Sequence, residues 1–389
     1  MDYAAGSPLD KRVLKEMIPY FAEQFGNPSS PHSFGQMAKN AIEVSRSRIA
    51  DSINAKDSDD LVFTSGGTES NNLAIRGITS RHKDKGNHII TSAIEHMSVI
   101  NTCKSLMRQG FEVTFLPVDN HGFVKIEELE NSITKKTILI TIMYANGEIG
   151  TIQPAEEIGK VAQENEIFFH VDAIASAGKI QIDVSENFID LLSISSNDIY
   201  GPKGVGALYI NKEARIQPII YGGGQEKGLR SGSENVPSIV GMGKAMEIAK
   251  AELKEEGARL TKFRDKLIDG VTSTIKRTYL NGHPKKRLPN NANIGFDYIE
   301  GESLILSLDA IGVQVSSGSA CTSKTLEPSH VLRAIGLPHE KAHGSLLFTL
   351  GRFSKENDIE IVLSKLPNIV KRLRSMSPLT PKEIPEGVK

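Results

Sequence analysis

From residue 61 onward the chain alternates short apolar runs with longer segments whose apolar positions recur at helical spacing. Residues 61–64, 88–91, 112–116, 137–143, 167–172, 190–194 and 205–210 read as strands, and 69–81, 98–109 and 154–165 as helices. Strands alternating with helices build a mostly parallel sheet covered on both faces, because each crossover helix packs back on the sheet before the next strand. The expected fold class is α/β. After Gly222-Gly223-Gly224 the pattern changes. Residues 235–276 form one long helical stretch dense in Lys and Glu, suited to joining a large unit to a smaller one. Beyond it, 293–296, 312–316 and 346–350 read as strands and 303–308 and 356–373 as helices, a smaller α+β unit. No internal repeat is found, and the charged, Pro-containing segment 377–389 is expected to fray.

The turns between these elements carry the candidate chemistry. Ser65-Gly66-Gly67-Thr68-Glu69-Ser70 follows a strand and opens a helix, a layout that offers free backbone N–H groups and a positive helix end to an anion. The same residues also suit a plain turn in which glycine supplies φ > 0 and Thr68 caps the helix. Neither the Walker nor the dinucleotide glycine pattern fits here, which disfavours nucleoside triphosphates and dinucleotides. Asp172 ends a buried strand run, where open α/β sheets bind ligands; it suits a cationic ring nitrogen, a helix cap or an ion pair. Asn146, in Tyr144-Ala145-Asn146-Gly147-Glu148-Ile149-Gly150, occupies a comparable place and equally suits a turn. His96 follows a third strand.

Composition narrows the classes. The chain has 389 residues, long enough for two domains, with Lys+Arg 46 against Asp+Glu 47. A formal charge of -1 gives no global field toward nucleic acid or an anionic membrane, and no apolar run is long enough to span a bilayer. The first residues carry no basic segment followed by an apolar stretch, so the expected location is cytoplasmic. Two distant cysteines, Cys103 and Cys321, exclude a disulfide framework and a zinc site of clustered thiolates. Cys321 lies in Ser316-Ser317-Gly318-Ser319-Ala320-Cys321-Thr322-Ser323-Lys324, a small polar loop in which a thiol is accessible, and is the expected reactive one. Cys103, on a helix pattern, is expected to pack.

Taken together, the segments resemble the cysteine desulfurases of the iron–sulfur cluster assembly type, within the class-V branch of the pyridoxal-phosphate aminotransferases. The resemblance runs from Asp2-Tyr3-Ala4-Ala5 and Phe25-Gly26-Asn27-Pro28-Ser29 through the 64–70 turn and Asn146-Gly147-Glu148-Ile149-Gly150. It continues through Ile199-Tyr200-Gly201-Pro202-Lys203-Gly204, Gly222-Gly223-Gly224 and Arg230-Ser231-Gly232-Ser233 to Ser317-Gly318-Ser319-Ala320-Cys321 and Leu350-Gly351-Arg352-Phe353. It implies a fold-type I architecture: a large cofactor-binding domain at 15–250 with a mostly parallel seven-stranded sheet, and a small α+β domain at 1–14 and 251–389 carrying the Cys321 loop. Pyridoxal 5'-phosphate is the implied cofactor. Gly67, Thr68 and Ser195 would hold its phosphate, with Ser196 and Asn197 in the same binding set and Ser233 reaching in from the second subunit of a homodimer. His96 would stack on the ring, Asp172 pair with its nitrogen and Asn146 contact its hydroxyl. Cys321 corresponds to the thiol that takes sulfur from L-cysteine as a persulfide.

The departures are as specific. The family's His-Lys pair, whose lysine forms the Schiff base, reads here Asn197-Asp198. Lys203 is no replacement, because the family pattern holds that second lysine too. Ala175 stands where the family has a glutamine touching the cofactor hydroxyl, and Leu347 where it has an arginine gripping the substrate carboxylate. A carboxylate cannot form an imine, and Asp198 at ~5 Å from a phosphate would repel it by roughly 3 kcal/mol at an effective dielectric of ~20. The resemblance with these changes implies non-covalent cofactor binding and impaired desulfuration. Cys321 would carry persulfide sulfur from another donor, or ligate a [2Fe-2S] cluster shared with an iron–sulfur scaffold protein. A working desulfurase with a compensating group and a catalytically inert interaction subunit are the alternatives.

Overall fold

The computed structural model describes residues 1–317, 327–378 and 380–381. Three helices, α1 (Lys11–Met17), α2 (Pro19–Ala22) and α3 (Ser33–Ser52), precede the first strand. Then follow β1 (Leu61–Thr64), α4 (Gly67–Arg81), β2 (His88–Ser92), α5 (Met97–Met107), β3 (Glu112–Leu116), α6 (Ile126–Ser132), β4 (Thr137–Thr141), α7 (Ala155–Glu164), β5 (Phe168–Asp172), β6 (Leu191–Ser195) and β7 (Gly206–Ile210). The long α8 (Val236–Thr274) leads into β8 (Thr278–Asn281), β9 (Asn291–Phe296), α9 (Gly301–Asp309), α10 (His330–Ala334), α11 (His339–Ala342), β10 (Ser345–Thr349) and α12 (Glu356–Met376).

The large sheet has seven strands in the order β1-β7-β6-β5-β4-β2-β3. Only β7 runs against its neighbours; the pairs β2–β3, β2–β4, β4–β5 and β5–β6 are parallel. Every residue of β1, β2, β4, β6 and β7 is buried, which is why these strands read as unbroken apolar runs rather than alternating ones. The carboxyl ends of β1, β2, β4, β5 and β6 consequently open on one edge.

The second sheet, β10-β9-β8, is antiparallel and has its own core, in which Leu267, Phe296, Phe348 and Leu366 are almost wholly buried. Helix α8 serves both cores. Val240, Met242 and Met246 pack with the large sheet's core, and Leu260, Leu267 and Val271 with the small one. A parallel bridge from Asp2 to Thr349 ties the N-terminal segment to the small sheet.

The expected strand at 312–316 is not formed. Gly312 adopts φ +81 and turns the chain, and only Ser316 reaches the β10 edge, bridging to Leu347. Strand β8 and helices α1 to α3 are elements that the apolar pattern did not single out. Most of the tail expected to fray lies outside the described residues. Among the described residues no helix is long and apolar enough to cross a membrane.

Candidate active site

Five strand ends converge on one cavity of about 430 Å³, a size that suits a small cofactor. Gly67 and Thr68 follow β1, His96 follows β2, Asn146 follows β4, Asp172 ends β5 and Ser195 ends β6, and all six line it. The carboxyl edge of a parallel sheet thus assembles residues that lie far apart in sequence.

Helix α4 starts here with no side chain capping it, so its first-turn N–H groups are free for an anion. Thr68 is exposed inside that first turn, not the cap, which Gly66 supplies at φ +144. A Cβ on Gly67 would stand 2.1 Å from Ile174 Cδ1, so this approach requires glycine or a displaced isoleucine. The Ser195 hydroxyl donates to Asn197 Oδ1, fixing both at the same wall.

Asp172 sits almost fully buried and accepts hydrogen bonds from Asn71 Nδ2 at 2.7 Å and the Ile174 N–H at 3.0 Å. Burial pushes its carboxyl pKa up against those bonds and the nearby His96. It closes no ion pair within the described chain, so a cationic ring nitrogen would supply the charge it lacks. Asn71 Nδ2 also donates to Ser98 Oγ at 2.9 Å, and Ser98 Oγ lies 2.7 Å from His96 Nδ1. The Ser98 N–H donates to that same Nδ1, so in the neutral ring Nε2 carries the proton and the ring is held at the cavity mouth. Asn146 is engaged in its own turn. Its Oδ1 accepts from the Glu148 and Ile149 N–H groups at 2.9 Å, and its Nδ2 donates to the Ile94 carbonyl at 2.9 Å, leaving one amide hydrogen for a ligand.

Other sequence candidates fall elsewhere. Ser196 does not line the cavity. It lies just past the end of β6 with helical backbone angles (φ -77, ψ -31), and its buried Oγ lies where a Cβ on Gly201 would meet it at 2.1 Å. Ser233 is exposed and outside the cavity of its own chain. Cys321 lies outside the described residues. Cys103 is buried, and burial pushes its thiol up to about 12, the state of a packing residue.

Ala175, Asp198 and Leu347, the positions at which the resemblance implied other residues, line the cavity, the last only 5% exposed. Asp198 lies in the 3-10 turn Asn197–Ile199, where burial raises its pKa and Lys179 opposes the shift. The isolated repulsion expected of Asp198 is therefore offset in part by an ammonium on the same wall. Sequence reasoning did not reach Lys179, nor the Asn71–Ser98 link, nor Glu95 and Glu148. The last two are buried carboxyls at the cavity, pushed by desolvation up to about 8 and about 7, each with one oxygen unpartnered. The available signal was helical spacing in α4, where Asn71 follows Gly67 by four residues; Lys179 lies in a turn and had none.

Residues 1–362 match the family model of class-V aminotransferases. The chain is 57% identical to cysteine desulfurase IscS 1 of Archaeoglobus fulgidus, over 97% of this chain and 98% of that protein. It is 55% identical to cysteine desulfurase IscS of Methanosarcina thermophila, over 98% and 94%. A solved NifS-like protein superposes with a TM-score of 0.90 at 37% identity, covering 96% of this chain and 99% of that one. SspA in complex with cysteine does so with a TM-score of 0.80 at 39% identity, covering 91% and 99%.

Proposed function

Since the chain belongs to the class-V aminotransferase family, we propose that it is a cysteine desulfurase-type protein of iron–sulfur cluster biogenesis that binds pyridoxal 5'-phosphate and L-cysteine. The observation that carries this reading is the convergence of an uncapped helix start, a buried unpaired carboxylate and a fixed imidazole on one cavity. When bound, the cofactor supplies an electron sink for chemistry at the α-carbon of an amino acid. The N-terminus of α4, Thr68 and Ser195 would hold its phosphate, Asp172 its ring nitrogen, and His96 one ring face. Ser233 would reach the phosphate from the second subunit of a homodimer.

Cys321 would receive the sulfur as a persulfide or, alternatively, ligate a [2Fe-2S] cluster shared with a scaffold protein. Asp198 cannot supply the amine of a Schiff base, and Leu347 cannot grip a carboxylate, which forfeits a charge-assisted contact of about 1.5–3 kcal/mol. Desulfuration by the unaltered chain is therefore slow unless another amine serves. The presence of Lys179 on the cavity wall supports that second reading.

The test is cysteine-dependent sulfide release by the purified chain supplied with pyridoxal 5'-phosphate. Asp198→Lys, with or without Leu347→Arg, is expected to raise it on the order of 100-fold, the scale of a restored acid–base group. Cys321→Ser in the same background is expected to abolish it. No gain in either variant overturns this account of positions 198 and 347.

A further inference from the structure

Among the described residues, Lys179 is the one lysine lining the cavity that gathers Asp172, His96 and the start of α4. Lys203 does not line it, and its Nζ lies 3.5 Å from the place a Cβ on Gly6 would take. The position of Lys179 is built in. Gly178, at φ +70, lets the chain approach so closely that a Cβ there would meet Ile199 Cγ2 at 2.8 Å and Ala249 Cβ at 3.0 Å. This packs the 175–179 turn against the turn that bears Asp198, so the half-buried lysine and the acid share one wall. Lys179 Nζ donates to the Ala175 carbonyl at 3.0 Å, one turn back, and closes no ion pair within the described chain. Two of its three hydrogens are thus uncommitted to that bond.

On the reading of the cavity as a pyridoxal phosphate site, we infer that Lys179 binds the cofactor's aldehyde covalently through Nζ, without the α-carbon proton transfer that a lysine at position 198 would add. A C=N bond forms between Nζ and the aldehyde carbon. The aldehyde oxygen leaves as water with two hydrogens from the neutral amine, and nothing is oxidised or reduced. Only the neutral amine is nucleophilic, and burial lowers the Lys179 pKa, although Asp198 opposes the shift. Asp198 shares the cavity wall without an ion pair to Lys179, so the proton that the ammonium must shed leaves to solvent.

The experiment loads the full chain with pyridoxal 5'-phosphate, removes free cofactor by dialysis, reduces with sodium borohydride and locates the phosphopyridoxyl group by peptide mass spectrometry. The label is expected on Lys179. Lys179→Arg keeps the charge and Lys179→Met the stem, and both are expected to bind the cofactor before dialysis, release it on dialysis and carry no label. Cofactor retained by the parent with the label on Lys203, on Lys324 or nowhere overturns the role of Lys179 and leaves the cofactor reading intact. A parent chain that retains no cofactor overturns the cofactor reading and this inference with it.

Discussion

The hydroxyl of Ser98 joins two groups that the chain separates widely: Asn71, which holds Asp172, and His96. Removing either bond would leave a buried polar group unsatisfied, at roughly 1–3 kcal/mol. Beside this network, Glu95 accepts from Ser92 Oγ at 2.6 Å and the Met143 N–H at 3.1 Å through one oxygen, while the other has no partner. Burial raises its pKa from 4.5 to about 8, so the folded protein favours the protonated acid. That contribution to stability is complete below about pH 4.5 and is lost as pH rises through about 8. Glu95→Gln stays neutral and can accept the same two bonds. Its melting temperature is expected to match the parent's in acid and to exceed it increasingly toward pH 8 and above; a gap that does not change with pH would show that Glu95 does not titrate as described. None of this was legible locally, because the pKa of a glutamate depends on what the fold stacks around it.

At the scale of elements, the sequence pattern located most of the large sheet. The strand expected at 88–91 forms at His88–Ser92, and that at 167–172 at Phe168–Asp172. Buried parallel strands announce themselves through apolar runs. Strand β8, Thr-Tyr-Leu-Asn, is half exposed at its start and carries polar ends, so its pairing with β9 rather than its composition makes it a strand. The 312–316 run is the converse case: suitable residues with only one partner residue on the β10 edge. Helix α8 was readable because 39 residues keep helical periodicity, but not which core each half enters. Leu267, fully buried in the small core, tests that division. Leu267→Ala should cost about 2–5 kcal/mol in denaturant unfolding. Its cofactor affinity should stay at the parent level, and a matching loss would mean the small core and the cavity are not separable.

For the whole molecule, the N-terminal segments carry an apolar surface that the described residues leave uncovered. Ile18, Phe21 and Phe25 are 55%, 63% and 70% exposed, and Phe25 stacks on Phe34 with ring centroids 5.6 Å apart. Such a surface supports the proposed homodimer. Sedimentation is expected to give twice the monomer mass, and Phe21→Glu with Phe25→Glu to shift it to the monomer. A parent chain that sediments as a monomer would remove Ser233 from the cofactor site. Hydrophobic periodicity alone determined the α/β class, the long connecting helix and the strand ends where a ligand site must form, because burial on both faces of a sheet is written in consecutive residues. The ordered segments determined the family resemblance, which the family match bears out. Only the tertiary structure brought Lys179 to the wall beside Asp198, turned Ser196 away and linked Asp172 to His96. These facts depend on close approach at Gly178, on the helical turn the chain takes at Ser196 and on contacts across the fold, none of which the apolar pattern records.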